Sequence, residues 1–154
     1  MTIESERLVE LLREVKLLAR EYYELTEKPL GVTAEIAEYE VAHILGLKLS
    51  PARQPGYDAV RKISGRTELL QIKGRRFTSA SKRSQRVGSI NLKHDWDAVL
   101  LVLLDEHYEP TAIHEADRKA VTKALLKPGS KARNERGSLA VSQFKAIGSQ
   151  IWPK

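Results

Sequence analysis

A carboxylate, an amide and an amine stand close together near the middle of the chain: Asp58, Gln71 and Lys73. Asp58 offers a hard oxygen ligand, Gln71 a carbonyl oxygen, and the backbone carbonyl of Ile72 can join them. Mg²⁺ accepts that donor set together with several waters, and Mn²⁺ suits it as well. An amine beside such an ion can orient or help deprotonate a water and stabilise charge on an attacked phosphate, which is the role open to Lys73. In outline this is chemistry for hydrolysing a phosphodiester.

A β-hairpin would gather these groups. Tyr57 to Ile63 and Thr67 to Lys73 are short β-prone runs, and Ser64-Gly65 between them is a two-residue turn. Such a turn sets Ile63 opposite Arg66, Val60 opposite Leu69 and Asp58 opposite Gln71. The same register sets Arg61 opposite Glu68, an opposite-charge pair that supports it. Side chains alternate along a strand, so Gln71 and Lys73 share the Asp58 face while Leu70 and Ile72 point away. A bulged three-residue turn would shift the register by one and part Asp58 from Gln71.

The preceding segment reads as a helix from Ala34 to Leu45 with Thr33 as its cap. On a helical wheel Ala34, Ala37, Val41, Ile44 and Leu45 form the buried stripe. Glu38 falls within its edge, and Glu35 and Glu40 lie farther out. A carboxylate on an apolar face needs a partner, and a metal or Lys73 would serve; a rim position reaching water is the plainer reading.

Helix glutamate, then Gly-x-Asp on one strand, then an acid or Gln two residues before Lys on the next: this order resembles the PD-(D/E)XK nuclease superfamily, which includes restriction endonucleases, Holliday-junction resolvases and Mrr-like enzymes. Here the pattern is Glu38 (or Glu35), Gly56-Tyr57-Asp58 and Gln71-Ile72-Lys73, followed by Gly74-Arg75-Arg76 and by Asp97-Ala98-Val99-Leu100 opening an apolar strand. The likeness covers about residues 31–115. It implies a restriction-endonuclease-like mixed β-sheet flanked by helices and a Mg²⁺-dependent endonuclease acting on DNA. Asp58 and Gln71 would be its metal ligands, Lys73 its catalytic lysine, and Glu38 an accessory ligand or water holder. By analogy with restriction enzymes that pair to cut two strands, a homodimer is a further expectation. One position departs from the usual pattern. Gln71 replaces an acid, which removes a full negative charge and weakens the hold on a divalent ion. Active members with Gln exist, the Mrr-like ones among them.

The charge distribution points to the same kind of partner. Residues 51–104 carry eleven Lys and Arg against four Asp and Glu, whereas residues 1–50 are net acidic. Arg75, Arg76, Lys82, Arg83 and Arg86 follow Lys73 in a Ser-rich stretch and are placed to grip phosphates, with Lys131, Arg133 and Arg136 as a possible extension. Two competing readings remain. One is a catalytically inactive relative that only binds nucleic acid. The other is a protein-interaction module built on the first helix.

These groups need a scaffold, and the chain's 154 residues with 42% hydrophobic content suffice for one domain. Its parts are an N-terminal helix (1–27), a motif-bearing core (31–115) and C-terminal helices (116–154). The first helix, from about 3 to 25, carries Leu8, Leu11, Val15, Leu18, Tyr22 and Leu25 at heptad spacing. That seam suits packing on its own domain, or a coiled-coil contact. Residues 74–88 read as a basic loop or short helix. Ala98 to Leu104 is continuously apolar, which suits a strand buried on both faces. A further strand over 108–114, helices over 117–126 and 142–152, and a polar loop from 127 to 137 complete the α/β pattern. With no cysteine there is no disulfide or thiolate metal site, and the four histidines lack metalloprotease spacing. No membrane-spanning run and no signal-peptide core is present, so a cytoplasmic protein is expected.

Overall fold

The computed structural model describes residues 2–82, 84–128 and 137–154. Arg83 and Lys131, Arg133 and Arg136 lie outside the described residues. The chain forms a mixed α/β structure whose six-stranded sheet carries helices on both faces.

Helix α1 spans Ile3–Thr26, its first turn capped by the Thr2 hydroxyl, which accepts from the Ser5 amide at 3.2 Å. The heptad seam does not pack on the domain. Leu8, Leu11, Leu18, Tyr22 and Leu25 are exposed, and Val15 alone of that row touches the core. The inward face is instead Val15, Lys16, Ala19, Arg20 and Tyr23. Ala19 is fully buried, and the Lys16 ammonium donates to Glu40 and, at 2.9 Å, to Glu109. That face is largely polar, so apolar periodicity selects the wrong side of the helix.

Helix α2 spans Thr33–Leu45. Thr33 is its first residue rather than its cap; Val32 holds the cap position and offers no side-chain acceptor. The buried stripe is rotated from the expected one: Ile36, Ala37 and Val41 are fully buried, Ala34 is exposed, and Glu40 turns toward α1 to meet Lys16.

A short strand β1 (Lys48–Leu49) precedes the hairpin of β2 (Ala59–Ile63) and β3 (Arg66–Arg76). Ser64 and Gly65 both have positive φ, 49° and 77°, so the turn is the tight two-residue kind that matches strand twist. The register is the expected one: Ile63 faces Arg66, Arg61 faces Glu68 and Val60 faces Leu69. β3 runs past the hairpin through Gly74 to Arg76 and pairs in parallel with β5 (Ala98–Leu104), where a loop or short helix was expected. Strand β4 (Arg86–Ser89) follows, and later pairs with β7 (Ser138–Ala140) in a separate two-stranded sheet.

All seven residues of β5 are buried, as a continuous apolar run at the sheet centre should be. Their alternation feeds two cores. Ala98, Leu100, Val102 and Leu104 join Leu70, Ile72, Ile36 and Val41 under α2, while Val99, Leu101 and Leu103 face the opposite side. There they meet helix α3 (Arg118–Leu125) and helix α4 (Val141–Ile147). Asp117 caps α3 by accepting from the Ala120 amide at 2.7 Å. Strand β6 (Pro110–Asp117) and strand β8 (Ser149–Trp152) finish the large sheet, whose order is β1-β2-β3-β5-β6-β8. The last helix is thus shorter than its apolar spacing suggests. It stops at Ile147, and residues 149–152 pair with β6 instead. No helix among the described residues is long and apolar enough to cross a membrane.

Candidate active site

Asp58 sits one residue before β2, where the regular ladder stops. Its amide donates to the Leu70 carbonyl at 2.8 Å. Its carboxylate reaches past Gln71, and Oδ2 accepts from the Ile72 amide at 2.7 Å. Among the described residues Oδ1 takes no hydrogen bond. In an extended strand the N–H and C=O of one residue leave on the same edge, so the Ile72 carbonyl also points toward the Asp58 side. Leu70 and Ile72 are buried under α2, and Gln71 and Lys73 take the other face.

Gln71 is nearly sealed at 6% exposure. Its Nε2 donates to the Gly56 carbonyl at 2.8 Å, which fixes the amide's orientation. Its Oε1 is buried and has no hydrogen-bond partner among the described residues. Buried polar oxygens are seldom left so, and this one belongs to a side chain lining a cavity of about 250 Å³ together with Gly56, Tyr57, Asp58, Lys73 and His94. Gly56 has φ 91°, and a side chain there would press on His94 Cβ at 3.0 Å, so glycine is what permits this turn of the wall.

Lys73 is half-buried in the same cavity. Burial, with Arg75 adding to it, pulls its amine below the ordinary lysine range, while Asp58 and Glu38 pull it back up. Glu38, half-buried on α2, is shifted upward, chiefly by desolvation and then by Asp58 and Glu35, with Lys73 opposing. Lys73 thus responds to Asp58 and Glu38 and shows no comparable coupling to Glu35. Glu38 shares the electrostatic field of Asp58 and Lys73 without lining the cavity itself.

The remaining wall comes from the end of β4 and the segment leading to β5, where Ser89, Asn91 and His94 face the cavity. Nothing in local sequence marks them; the segment has no period and folds back through long-range contacts. Arg118 holds it. That guanidinium donates to the carbonyls of Leu92 (2.6 Å), His94 (2.8 Å) and Trp96 (3.0 Å) and lies over the Trp96 ring.

The basic residues after Lys73 divide into two kinds. Arg75 donates to the carbonyls of Arg86 (2.7 Å) and Gly74 (2.5 Å), and Arg86 donates to Ser138 Oγ (3.1 Å) and to the Ser138 carbonyl. These two tie β3 to β4 and β4 to β7. Arg76 and Lys82 make no such bonds among the described residues; Arg76 lies over the ring of Tyr23 at 3.9 Å, and Lys82 is exposed.

Among the described residues no cluster of three or more His, Cys, Asp or Glu side chains is disposed to hold a metal. The oxygen donors gathered here are of mixed type: the Asp58 carboxylate, the Gln71 amide oxygen, the Ile72 carbonyl edge and, farther out, Glu38. No protein-family model and no curated protein matches this chain. Its chemistry is therefore argued from these side chains.

Proposed function

We propose that this protein is a metal-dependent nuclease of restriction-endonuclease-like fold that hydrolyses phosphodiester bonds of DNA. The observation that supports this reading best is the buried, unpartnered Oε1 of Gln71 beside the free carboxylate oxygen of Asp58, with the Lys73 amine in the same cavity. An oxygen that has given up water without a donor suits a cation. Asp58, Gln71 and the Ile72 carbonyl, with Glu38 as an accessory, would hold Mg²⁺ or Mn²⁺. When bound, such an ion stabilises charge on an attacked phosphate and makes a nearby water more acidic.

The chain's own groups then have distinct tasks. The Ile72 amide fixes one Asp58 oxygen and so aims the other. The Gly56 carbonyl holds the Gln71 amide so that its oxygen, not its nitrogen, faces away from the turn. Lys73, whose amine is easier to deprotonate than an exposed lysine, can accept a proton at Nζ from the attacking water or, while charged, steady the phosphate oxygens. Arg76 and Lys82 add positive charge at and beyond the end of β3 that would draw in flanking phosphates.

The test is direct. Linear, supercoiled, branched and single-stranded DNA, with RNA for comparison, are incubated with Mg²⁺ or Mn²⁺. Cleavage that stops with chelator and with Lys73→Ala supports the reading. If the Lys73→Ala protein cuts as fast as the unsubstituted one, the assignment is wrong. The neutral charge of Gln71 favours one alternative, a catalytically inactive relative that only binds nucleic acid. It predicts binding that weakens steeply with added salt and no metal-dependent cutting of any substrate.

A further inference from the structure

A second cavity, of about 530 Å³, opens where the end of α1, the start of α2, the last residues of β3 and the segment before β4 meet. Among the described residues it shares no lining with the cavity around Asp58. Arg76 stands in its wall with the guanidinium carbon 3.9 Å from the Tyr23 ring centroid. Stacking fixes that planar group in place while leaving its N–H donors uncommitted, and among the described residues they have no hydrogen-bond or ion-pair partner. Arg75, in the same wall, is the contrast, with its donors committed to backbone carbonyls. Lys82 lies exposed on the rim without an ion-pair partner among the described residues. Ser81 accepts from the Thr78 amide at 2.9 Å and keeps its own O–H to donate. Thr33 brings the uncapped start of α2 to the same place, which adds favourable partial charge for an anion. Behind the stack the fully buried Tyr108 hydroxyl lacks a partner among the described residues and lies within electrostatic reach of Arg76 and Tyr23. Glu27 is the single carboxylate among the described lining residues.

We infer that this cavity is a second binding site, taking a phosphate group on Arg76 and Lys82. A phosphate ester accepts two parallel bonds from a fixed guanidinium and a third from an ammonium, the donors left uncommitted here. The cavity is larger than the anion alone, so the phosphate arrives attached to a nucleoside, either as a free nucleotide or as part of a strand. Arg76 lies three residues beyond Lys73 on β3, an odd offset that sets the two side chains on opposite faces of the sheet and keeps this cavity apart from the one around Asp58. The inference does not depend on metal binding or cleavage at Asp58.

The experiment uses the metal-free 154-residue chain. Inorganic phosphate is titrated while backbone amide signals are followed by NMR, then a nucleoside 5′-monophosphate, then a short single-stranded DNA with and without its 5′-phosphate. Phosphate should shift signals of Tyr23, Thr33, Arg76 and Lys82. Arg76→Gln and Lys82→Gln should each weaken binding about tenfold, and Lys73→Ala should leave it unchanged. A mononucleotide that matches the oligonucleotide assigns the free nucleotide as ligand, whereas tighter binding of the 5′-phosphorylated strand assigns the nucleic acid. Shifts that map to the Asp58 cavity, or an unaltered affinity in folded Arg76→Gln, would overturn the inference. Should Arg76→Gln lower the melting temperature, Lys82→Gln decides, since that side chain is exposed and supports no packing. Loss of cleavage with phosphate binding intact, or the reverse, separates this site from the nuclease reading.

Discussion

Replacing Gln71 by glutamate restores the acid that the nuclease motif usually carries, and here it should weaken the fold. The Gln71 Nε2 group donates to the Gly56 carbonyl at 2.8 Å in a nearly sealed position. A carboxylate has no proton to offer, so Gln71→Glu sets oxygen against oxygen and orphans the carbonyl, at about 1–3 kcal/mol. The new charge also lies across the hairpin from Asp58. Two carboxylates roughly 6 Å apart repel by about 3 kcal/mol at an effective dielectric near 20, and attraction to Lys73 offsets a comparable amount. The net expectation is a loss of about 1–3 kcal/mol at neutral pH, or roughly 2–12 °C in melting temperature for a chain of this size. The sign of the pH dependence follows. The introduced carboxyl is better tolerated protonated, because it can then donate to Gly56, so its pKa in the fold lies above the unfolded value of about 4.3. Its compatibility with the fold is therefore complete below that value and is lost as pH rises through the folded pKa. Urea denaturation of both proteins from pH 4 to 8 measures this, and Mg²⁺ should recover part of the loss in the variant by pairing with the added charge. A Gln71→Glu protein as stable as its parent across that range would refute the role given to the Gly56 carbonyl.

Three further outcomes are expected. A side chain at Gly74 would run into the Ala37 methyl and stand 3.0 Å from the Thr33 carbonyl. Gly74→Ala should accordingly cost about 1–3 kcal/mol in chemical denaturation, and the added substitution Ala37→Gly should return part of it. Arg61 is held between Glu68 (2.7 Å) and Glu115 (2.7 Å), with 19% of its side chain exposed, and the two carboxylates raise its pKa further above its already high value. Arg61→Leu leaves both acids without their cation and should destabilise by about 2–4 kcal/mol at neutral pH, an effect that shrinks in acid as the carboxylates protonate. His114 is 5% exposed with neither ring nitrogen partnered among the described residues, and burial, then Lys145, lowers its pKa. Its neutral form suits the fold, so that contribution is present above about pH 6.5 and lost as pH falls below it. His114→Phe should flatten the stability curve between pH 7 and 5, as read by thermal melts at each pH.

The parts of this architecture legible in the sequence are those with local chemistry. Ser64-Gly65 dictates a tight turn, the turn dictates register, and the register brings Asp58 to Gln71 and Ile72. The apolar run of β5 needs burial on both faces and receives it. Failures occur where a distant partner decides. Val141, Phe144, Ile147 and Ile151 keep helical spacing, yet the edge of β6 is open, and pairing with it draws Ser149–Trp152 into a strand. Gly148, whose added Cβ would stand 2.6 Å from the Glu115 carbonyl, is where the chain changes course. Gly74, Arg75 and Arg76 look like the start of a basic loop until β5 offers Val102, Leu103 and Leu104 as ladder partners. On α1 the apolar row faces outward because Lys16 and Arg20, not leucines, make the inward contacts, Lys16 with Glu40 and Glu109 and Arg20 with His107 at 2.6 Å. The cavity wall at Ser89, Asn91 and His94 is held by Arg118 from the start of α3, which no local pattern announces.

The bond from the Ile72 amide to the Asp58 carboxylate has a consequence for how the centre moves. Gln71 and Lys73 on either side belong to the β3–β5 ladder, whose release requires the sheet to part, whereas this proton is shielded by a side chain just before β2. Its exchange with solvent deuterium therefore reports rotation of one carboxylate, a small local opening, and not the global unfolding that governs its neighbours. An ion that engages Asp58 would slow that single amide or free it, according to whether the captured carboxylate keeps or releases its hold on the strand. Ile72 is thus a native probe of occupancy placed inside the site, readable with no substrate and no turnover.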